Sequence, residues 1–105
     1  MPAKEMVIRG GENLFPAEVE AVLHEHPAIV EAAVVGVPDP RMGEELAAFI
    51  RVAEGQSPDE HDLRAHVRAL LAAPKTPRYR IVVNEFPLTG SGNIQKFVLR
   101  ELGKG

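Results

Sequence analysis

Apolar positions fall into short blocks separated by glycine and proline, and the spacing within each block predicts its structure. Met6-Val7-Ile8 is short and β-branched, and Arg9-Gly10-Gly11-Glu12-Asn13 follows as a glycine-marked turn. Pro16 suits the first position of a helix, where its missing N–H has no partner anyway. Glu18 in the first turn favours the helix dipole. Val19, Val22 and Leu23 recur at i, i+3 and i+4, so one face of this helix is expected to be buried. Pro27 ends it. Ile29 to Val37 reads as a buried strand, broken by Pro38-Asp39-Pro40. Leu46 to Val52 is the next strand, joined to the first by a link longer than a tight turn.

Ser57-Pro58-Asp59-Glu60 carries the pattern of a helix start, with Ser57 as cap and Pro58 as first helical residue. Leu63, Val67, Leu70 and Leu71 continue it at i, i+4, i+7 and i+8. Pro74 and Pro77 stop it. Tyr79, Ile81 and Val83 alternate with Arg80, Val82 and Asn84, as in a strand with one apolar face. Leu88-Thr89-Gly90-Ser91-Gly92-Asn93 is a glycine loop. A final helix carries Ile94, Phe97, Val98 and Leu102 on one side, with Asn93 as its expected cap. The order β-α-β-β-α-β-α predicts an α+β fold: a small, mainly antiparallel sheet with two helices on one face, preceded by an N-terminal strand and loop.

The chain has 105 residues, enough for one domain with one modest core. It contains no cysteine, which removes disulfides, thiolate metal sites and a cysteine nucleophile. Net charge is −3, which argues against nucleic acid as a partner unless positive charge is clustered. No apolar run reaches the ~20 residues of a membrane span. The first residues lack a signal-peptide apolar region, so the cytoplasm is the expected compartment.

His24 and His26 are two apart, and His61 and His66 five apart. Neither spacing suits chelation, so no metal site is expected and these histidines read as surface or rim residues. Ser57 and Ser91 are the only serines, and Leu88-Thr89-Gly90-Ser91-Gly92 is not a nucleophile elbow. Two loops remain. The N–H groups of Thr89-Gly90-Ser91-Gly92 could hold a phosphate, or the segment could be a linker ending in a helix cap. Gly10-Gly11-Glu12-Asn13 could be a tight turn, or a backbone surface that a ligand approaches closely.

At these loops the sequence resembles a known family. Ile8-Arg9-Gly10-Gly11-Glu12-Asn13-Leu14-Phe15-Pro16-Ala17-Glu18-Val19-Glu20 is similar to a motif of the adenylate-forming acyl-CoA synthetases. So are Glu31-Ala32-Ala33-Val34-Val35-Gly36-Val37-Pro38-Asp39 and Phe86-Pro87-Leu88-Thr89-Gly90-Ser91-Gly92-Asn93-Ile94-Gln95-Lys96-Phe97-Val98-Leu99-Arg100. The resemblance covers essentially the whole chain and falls on the small C-terminal domain. It implies that residues 1–105 form one lid domain, that residues 1–5 belong to the hinge, and that the large N-terminal domain is absent.

The implied reaction has two steps. A carboxylic acid and ATP give an acyl-adenylate, and CoA thiol then displaces AMP. The small domain rotates between the steps. Lys4 aligns with the pivot. Gly10, Gly11, Glu12 and Asn13 align with the segment lining the pantetheine tunnel. Gly90, Ser91 and Gly92 form the loop before the family's adenylation lysine, whose place is taken by Asn93. That lysine supplies charge where phosphate and carboxylate crowd together, and losing one such donor costs ~10²–10³ in rate. Lys96 corresponds to a second lysine common in relatives and reads as ordinary. The implied partners are the N-terminal adenylation domain, CoA and the acyl-adenylate. ATP, Mg and CoA belong to the complete enzyme, with none held by this domain alone, and the isolated domain is expected to be inactive. Two alternatives stay open: an RNA-binding module of ferredoxin-like strand order, which would need exposed strand aromatics such as Phe49 and Tyr79, and a regulatory fragment docking on a separate ligase domain through an apolar patch.

Overall fold

A computed structural model describes residues 6–71 and 75–103. Two long strands form its spine. β3 (Ile29–Asp39) and β4 (Gly43–Val52) pair antiparallel along almost their full length, from Ile29 opposite Val52 to Asp39 opposite Gly43. β5 (Tyr79–Val82) joins β4 in parallel, giving the order β3-β4-β5. β1 (Val7–Arg9) and β2 (Glu12–Leu14) form a separate antiparallel hairpin. The helices are α1 (Pro16–His24), α2 (Glu60–Leu70) and α3 (Lys96–Gly103). The α+β class stands, with one parallel pair in a sheet otherwise antiparallel.

Strand alternation sorts the core into two layers. Ala32, Val34, Leu46, Ala48 and Ile50 face α1, α2 and the hairpin, meeting Val19, Val22, Leu23, Leu63 and Val67. The expected pair of helices on one face is therefore observed. Ala33, Val35, Val37, Ala47 and Phe49 face the other way and are covered by Phe86 and by Leu99 of α3. Because both faces are covered, β3 and β4 read as nearly continuous apolar runs.

Several local expectations are corrected. The segment after β1 is a second strand and not merely a turn into the first helix, so the order opens β-β-α. β3 continues through Pro38 and Asp39, because β3 is an edge strand, where a missing N–H costs no ladder bond. The link to β4 is then only residues 40–42. Asp39 closes it, its carboxylate accepting from the N–H groups of Arg41 and Met42 at 3.0 and 2.8 Å. Asp59, not Ser57, caps α2, accepting from Asp62 N–H at 2.7 Å. Phe97 and Leu102 are each 62% exposed, and Leu99 takes the buried position assigned to that face. Leu70 and Tyr79 are also exposed. His26 is buried, not at the surface: its Nδ1 accepts from Ala28 N–H, its Nε2 meets Asp62, and its ring packs edge-on against His66.

Candidate functional site

The Gly10-Gly11 turn is made by its glycines. Both have positive φ, 57° and 84°, as a two-residue turn of primed type requires. The turn is mounted on the β3–β4 connection. Gly10 N–H donates to the Met42 carbonyl at 2.7 Å, and a Cβ on Gly10 would lie 2.6 Å from the Met42 methyl. Behind the turn, Ile8 N–H donates to Glu44 Oε1 at 3.1 Å. Val7 enters the space left open by Gly36, where a Cβ would come within 2.8 Å of it. Glu12 and Asn13 are exposed.

The second glycine loop is a three-residue hairpin connection. Leu88 and Ile94 bridge, Thr89 N–H donates to the Asn93 carbonyl at 2.8 Å, and Gly92 N–H returns to the Thr89 carbonyl at 2.9 Å. Gly92 has φ 87°, the left-handed residue such a loop needs. Asn93 is exposed. Its N–H donates to Thr89 Oγ1 at 3.1 Å and its amide to Ser91 Oγ at 3.4 Å. It is not the cap of the last helix, because α3 starts only at Lys96. Lys96 is drawn away to Glu20 on α1, 2.7 Å from its carboxylate. Lys4 lies outside the described residues.

The two loops sit at opposite ends of the spine. Gly10 lies against Met42, next to the Asp39 end of β3, whereas Gly92 shares a cleft with Glu31 and Arg51 at the far end. Eight residues of strand separate these ends, about 25 Å at ~3.3 Å per residue.

Sequence reasoning missed a third feature. Beside the hairpin is a cleft of about 450 Å³ lined by Arg9, Arg64, Arg68, Arg78 and Arg80, together with Glu45, Thr76, Pro77 and Tyr79. Five of the twelve Lys and Arg residues converge here in a chain of net charge −3. Arg64 and Arg68 come from one face of α2, four apart. Arg78 and Arg80 come from the entry to β5. Arg80 donates to the Pro77 carbonyl and pairs with Glu60, yet its Nε has no partner, and neither has the hydroxyl of Thr76. Buried donors without partners are uncommon and mark a place for an incoming acceptor. The signal available in the sequence was the i, i+4 arginine pair on α2, but its convergence with Arg9 and Arg78 depends on tertiary contacts.

Arg78 is held above the ordinary arginine value, first by the neighbouring Tyr79, whose ring centre lies 5.7 Å from its guanidinium, and then by the charges of Glu45 and Asp39. Asp39 is held below the ordinary carboxylate value, chiefly by the Met42 N–H. Among the described residues, no three of His, Cys, Asp or Glu gather as metal ligands. No helix among them is long and apolar enough to cross a membrane. Phe49 is 1% exposed, so it offers no base-stacking surface, while Tyr79 is 40% exposed.

Residues 18–93 match the AMP-binding enzyme C-terminal domain family. The putative acyl-CoA synthetase YngI of Bacillus subtilis (strain 168) is 48% identical over 98 residues, 93% of this chain and 18% of that protein. The medium-chain acyl-CoA ligase ACSF2, mitochondrial, of Danio rerio is 52% identical over 98 residues, 93% of this chain and 16% of that one. Apo MatB from Rhodopseudomonas palustris superposes with a TM-score of 0.92 at 37% identity, over 97% of this chain and 20% of that chain. The chain thus spans less than a fifth of the length of these two curated relatives. With the fold and these likenesses in agreement, the chain belongs to the AMP-binding enzyme C-terminal domain family, the small domain of adenylate-forming acyl-CoA synthetases.

Proposed function

We propose that residues 1–105 act as the mobile lid of an ATP-dependent acid–CoA ligase, with two working ends used in turn. The carrying observation is the placement of the two glycine loops at opposite ends of one rigid strand pair, so that a rotation of the domain exchanges one for the other at a partner's active site. In the thioester step the Gly10-Gly11 turn lines the pantetheine tunnel, where backbone without side chains makes a thin wall. The arginine cleft beside it suits the phosphates of CoA, because guanidinium forks match phosphate oxygens bidentately. Where the sequence suggests that the domain alone holds no cofactor, this cleft supports weak binding of CoA by the isolated chain. ATP and Mg fall to the N-terminal adenylation domain.

In the adenylation step the Asn93 loop faces the reacting phosphate and carboxylate. Asn93 is neutral and hydrogen-bonded within its own loop, and Lys96 is engaged by Glu20, so this end brings little positive charge. The domain is therefore impaired in the first half-reaction while suited to the second, and alone it is inactive. Exposed Leu88, Phe97 and Leu102 flank the loop in sequence and suit an apolar contact with the partner lobe. We place the protein in the cytoplasm, although its ACSF2 relatives are mitochondrial by name. Cell fractionation checks this.

The test joins the chain to the N-terminal domain of its Bacillus relative and separates the half-reactions. Asn93→Lys is expected to raise ATP–pyrophosphate exchange by ~10²–10³ and to leave thioester formation from preformed acyl-adenylate little changed. Equal exchange with Asn and Lys at this position would refute the assignment of position 93.

A further inference from the structure

One acid stands among the arginines of the cleft. Glu45 is only 2% exposed, and Arg9 Nε donates to its Oε1 at 2.5 Å. Packing alone does not call for a carboxylate here, since Leu46, Ala47, Ala48, Phe49 and Ile50, which follow it on β4, are all apolar and buried. Burying an ion pair is seldom a gain over apolar groups of similar size, because desolvation consumes the Coulombic attraction. Glu45 also lines a second, smaller cleft with Asp39, Arg41 and Met42, under the glycine turn, and Arg9 and Arg78 line both. It stands where the arginine cleft meets the hairpin.

Arg9 links the two. It is the last residue of β1, paired with Glu12 across the turn and followed directly by Gly10. Val7 and Leu14 bury the hairpin in the core, and among the described residues its further holds include Val7 against Gly36, Ile8 N–H on Glu44, Gly10 N–H on Met42, and Arg9 on Glu45. Of these residues, Arg9 and Glu45 are the ones that line the arginine cleft. A phosphate entering it meets a guanidinium whose Nε–H is already held by a carboxylate. The two anions cannot share it comfortably, because like charges repel most strongly where water is scarce.

We propose that Glu45 is a positioning residue that works through Arg9: it holds the guanidinium while the cleft is empty and yields it to a phosphorylated ligand when the cleft fills, altering the anchorage of the Gly10-Gly11 hairpin. The proposal deepens the reading of the cleft as a CoA phosphate site and rests on it. Coupling of this kind is reciprocal, so a change in hairpin position also changes affinity at the cleft.

The full 105-residue chain, labelled with ¹⁵N, is titrated separately with inorganic pyrophosphate and with CoA while the amide signals of Gly10, Gly11 and Glu12 are followed. Pyrophosphate is expected to shift these signals as it fills the cleft. Glu45→Gln is expected to bind pyrophosphate about fivefold tighter or more, and its ligand-free hairpin signals to lie toward the loaded positions of the parent chain. Loss of the Glu45 charge raises anion affinity by itself, so the hairpin signals decide: a merely structural Glu45 would leave the ligand-free signals of Glu45→Gln at the unloaded positions of the parent chain. The double variant Arg9→Gln with Glu45→Gln keeps a neutral contact and removes the exchange. It should still bind through Arg64, Arg68 and Arg78 while its hairpin signals stay fixed. This variant decides the matter if Glu45→Gln alone fails to fold. Unmoved hairpin signals at saturating pyrophosphate, unchanged or weaker binding by Glu45→Gln, moving hairpin signals in the double variant, or no pyrophosphate binding at all would each overturn the proposal. The CoA reading is judged apart, by whether CoA binds more tightly than pyrophosphate to the same arginines.

Discussion

At single residues the structure is most exacting where side chains are absent. Gly36 has ordinary strand geometry, but the space over it belongs to Val7 and to the Glu44 carboxylate. Gly36→Ala should therefore displace the hairpin more than it weakens the sheet. Hydrogen exchange checks this, with protection lost at Ile8 before Ala33 or Phe49. Asp39 acts through its charge. Its carboxyl is held low chiefly by the Met42 N–H, with the Arg41 N–H and the Arg78 charge adding to the effect against some desolvation. A carboxyl lowered in the folded state adds stability above its unfolded value, and that stability is lost as pH falls through the folded value. The advantage of the parent over Asp39→Asn in urea midpoint should thus be full at pH 6 and shrink as pH drops below about 4. The role of Gly36 was hidden in the sequence, since a strand glycine does not reveal what lies over it. Asp39 was hidden for the opposite reason: the prolines on either side of it read as a strand break, though the strand runs through the first and the link to β4 starts at the second.

Among the elements, the contact of α1 with the outer edge of β3 decides how the layers are held. Glu20 and His24, one helical turn apart, accept from Val34 N–H at 2.8 Å and Ala32 N–H at 3.1 Å. Four residues of helix rise ~6 Å and two residues of strand ~6.7 Å, so the two spacings match. The pairing covers an exposed sheet edge, and Glu20 also reaches Lys96 of α3 on the opposite side of the sheet. Glu20→Ala should cost about 1–3 kcal/mol by leaving an N–H unsatisfied. Chemical denaturation measures the cost, and faster exchange of the Val34 amide locates it. The helix periods and the two long apolar strands were legible in the sequence because burial on one or both faces leaves a direct mark on composition. α3 was misread at Phe97 and Leu102, because a short helix bordered by a loop does not reveal which flank meets the core.

In the whole molecule, the distance between the loops lets either one be altered without touching the other. Gly11 has positive φ and open space around a would-be Cβ, so a substituted side chain would strain the turn and project outward without hitting the fold. Joined to a partner lobe, Gly11→Val should slow thioester formation at least tenfold and leave the adenylation step unchanged, as measured by the two half-reactions. Both glycine loops stood out in the sequence, whereas the arginine cleft could not, since its residues come from β1, α2 and the approach to β5. The hydrogen bonds of the Asn93 side chain and N–H stay within the loop Thr89–Asn93, and the residue points into solvent. Exchange of an exposed side chain in such a place changes stability by only about 0.5 kcal/mol. Asparagine and lysine codons differ at the third base alone. Under the reading proposed for position 93, a lineage would silence or restore activation of the acid by one point mutation, at a cost to folding no larger than that of any exposed exchange.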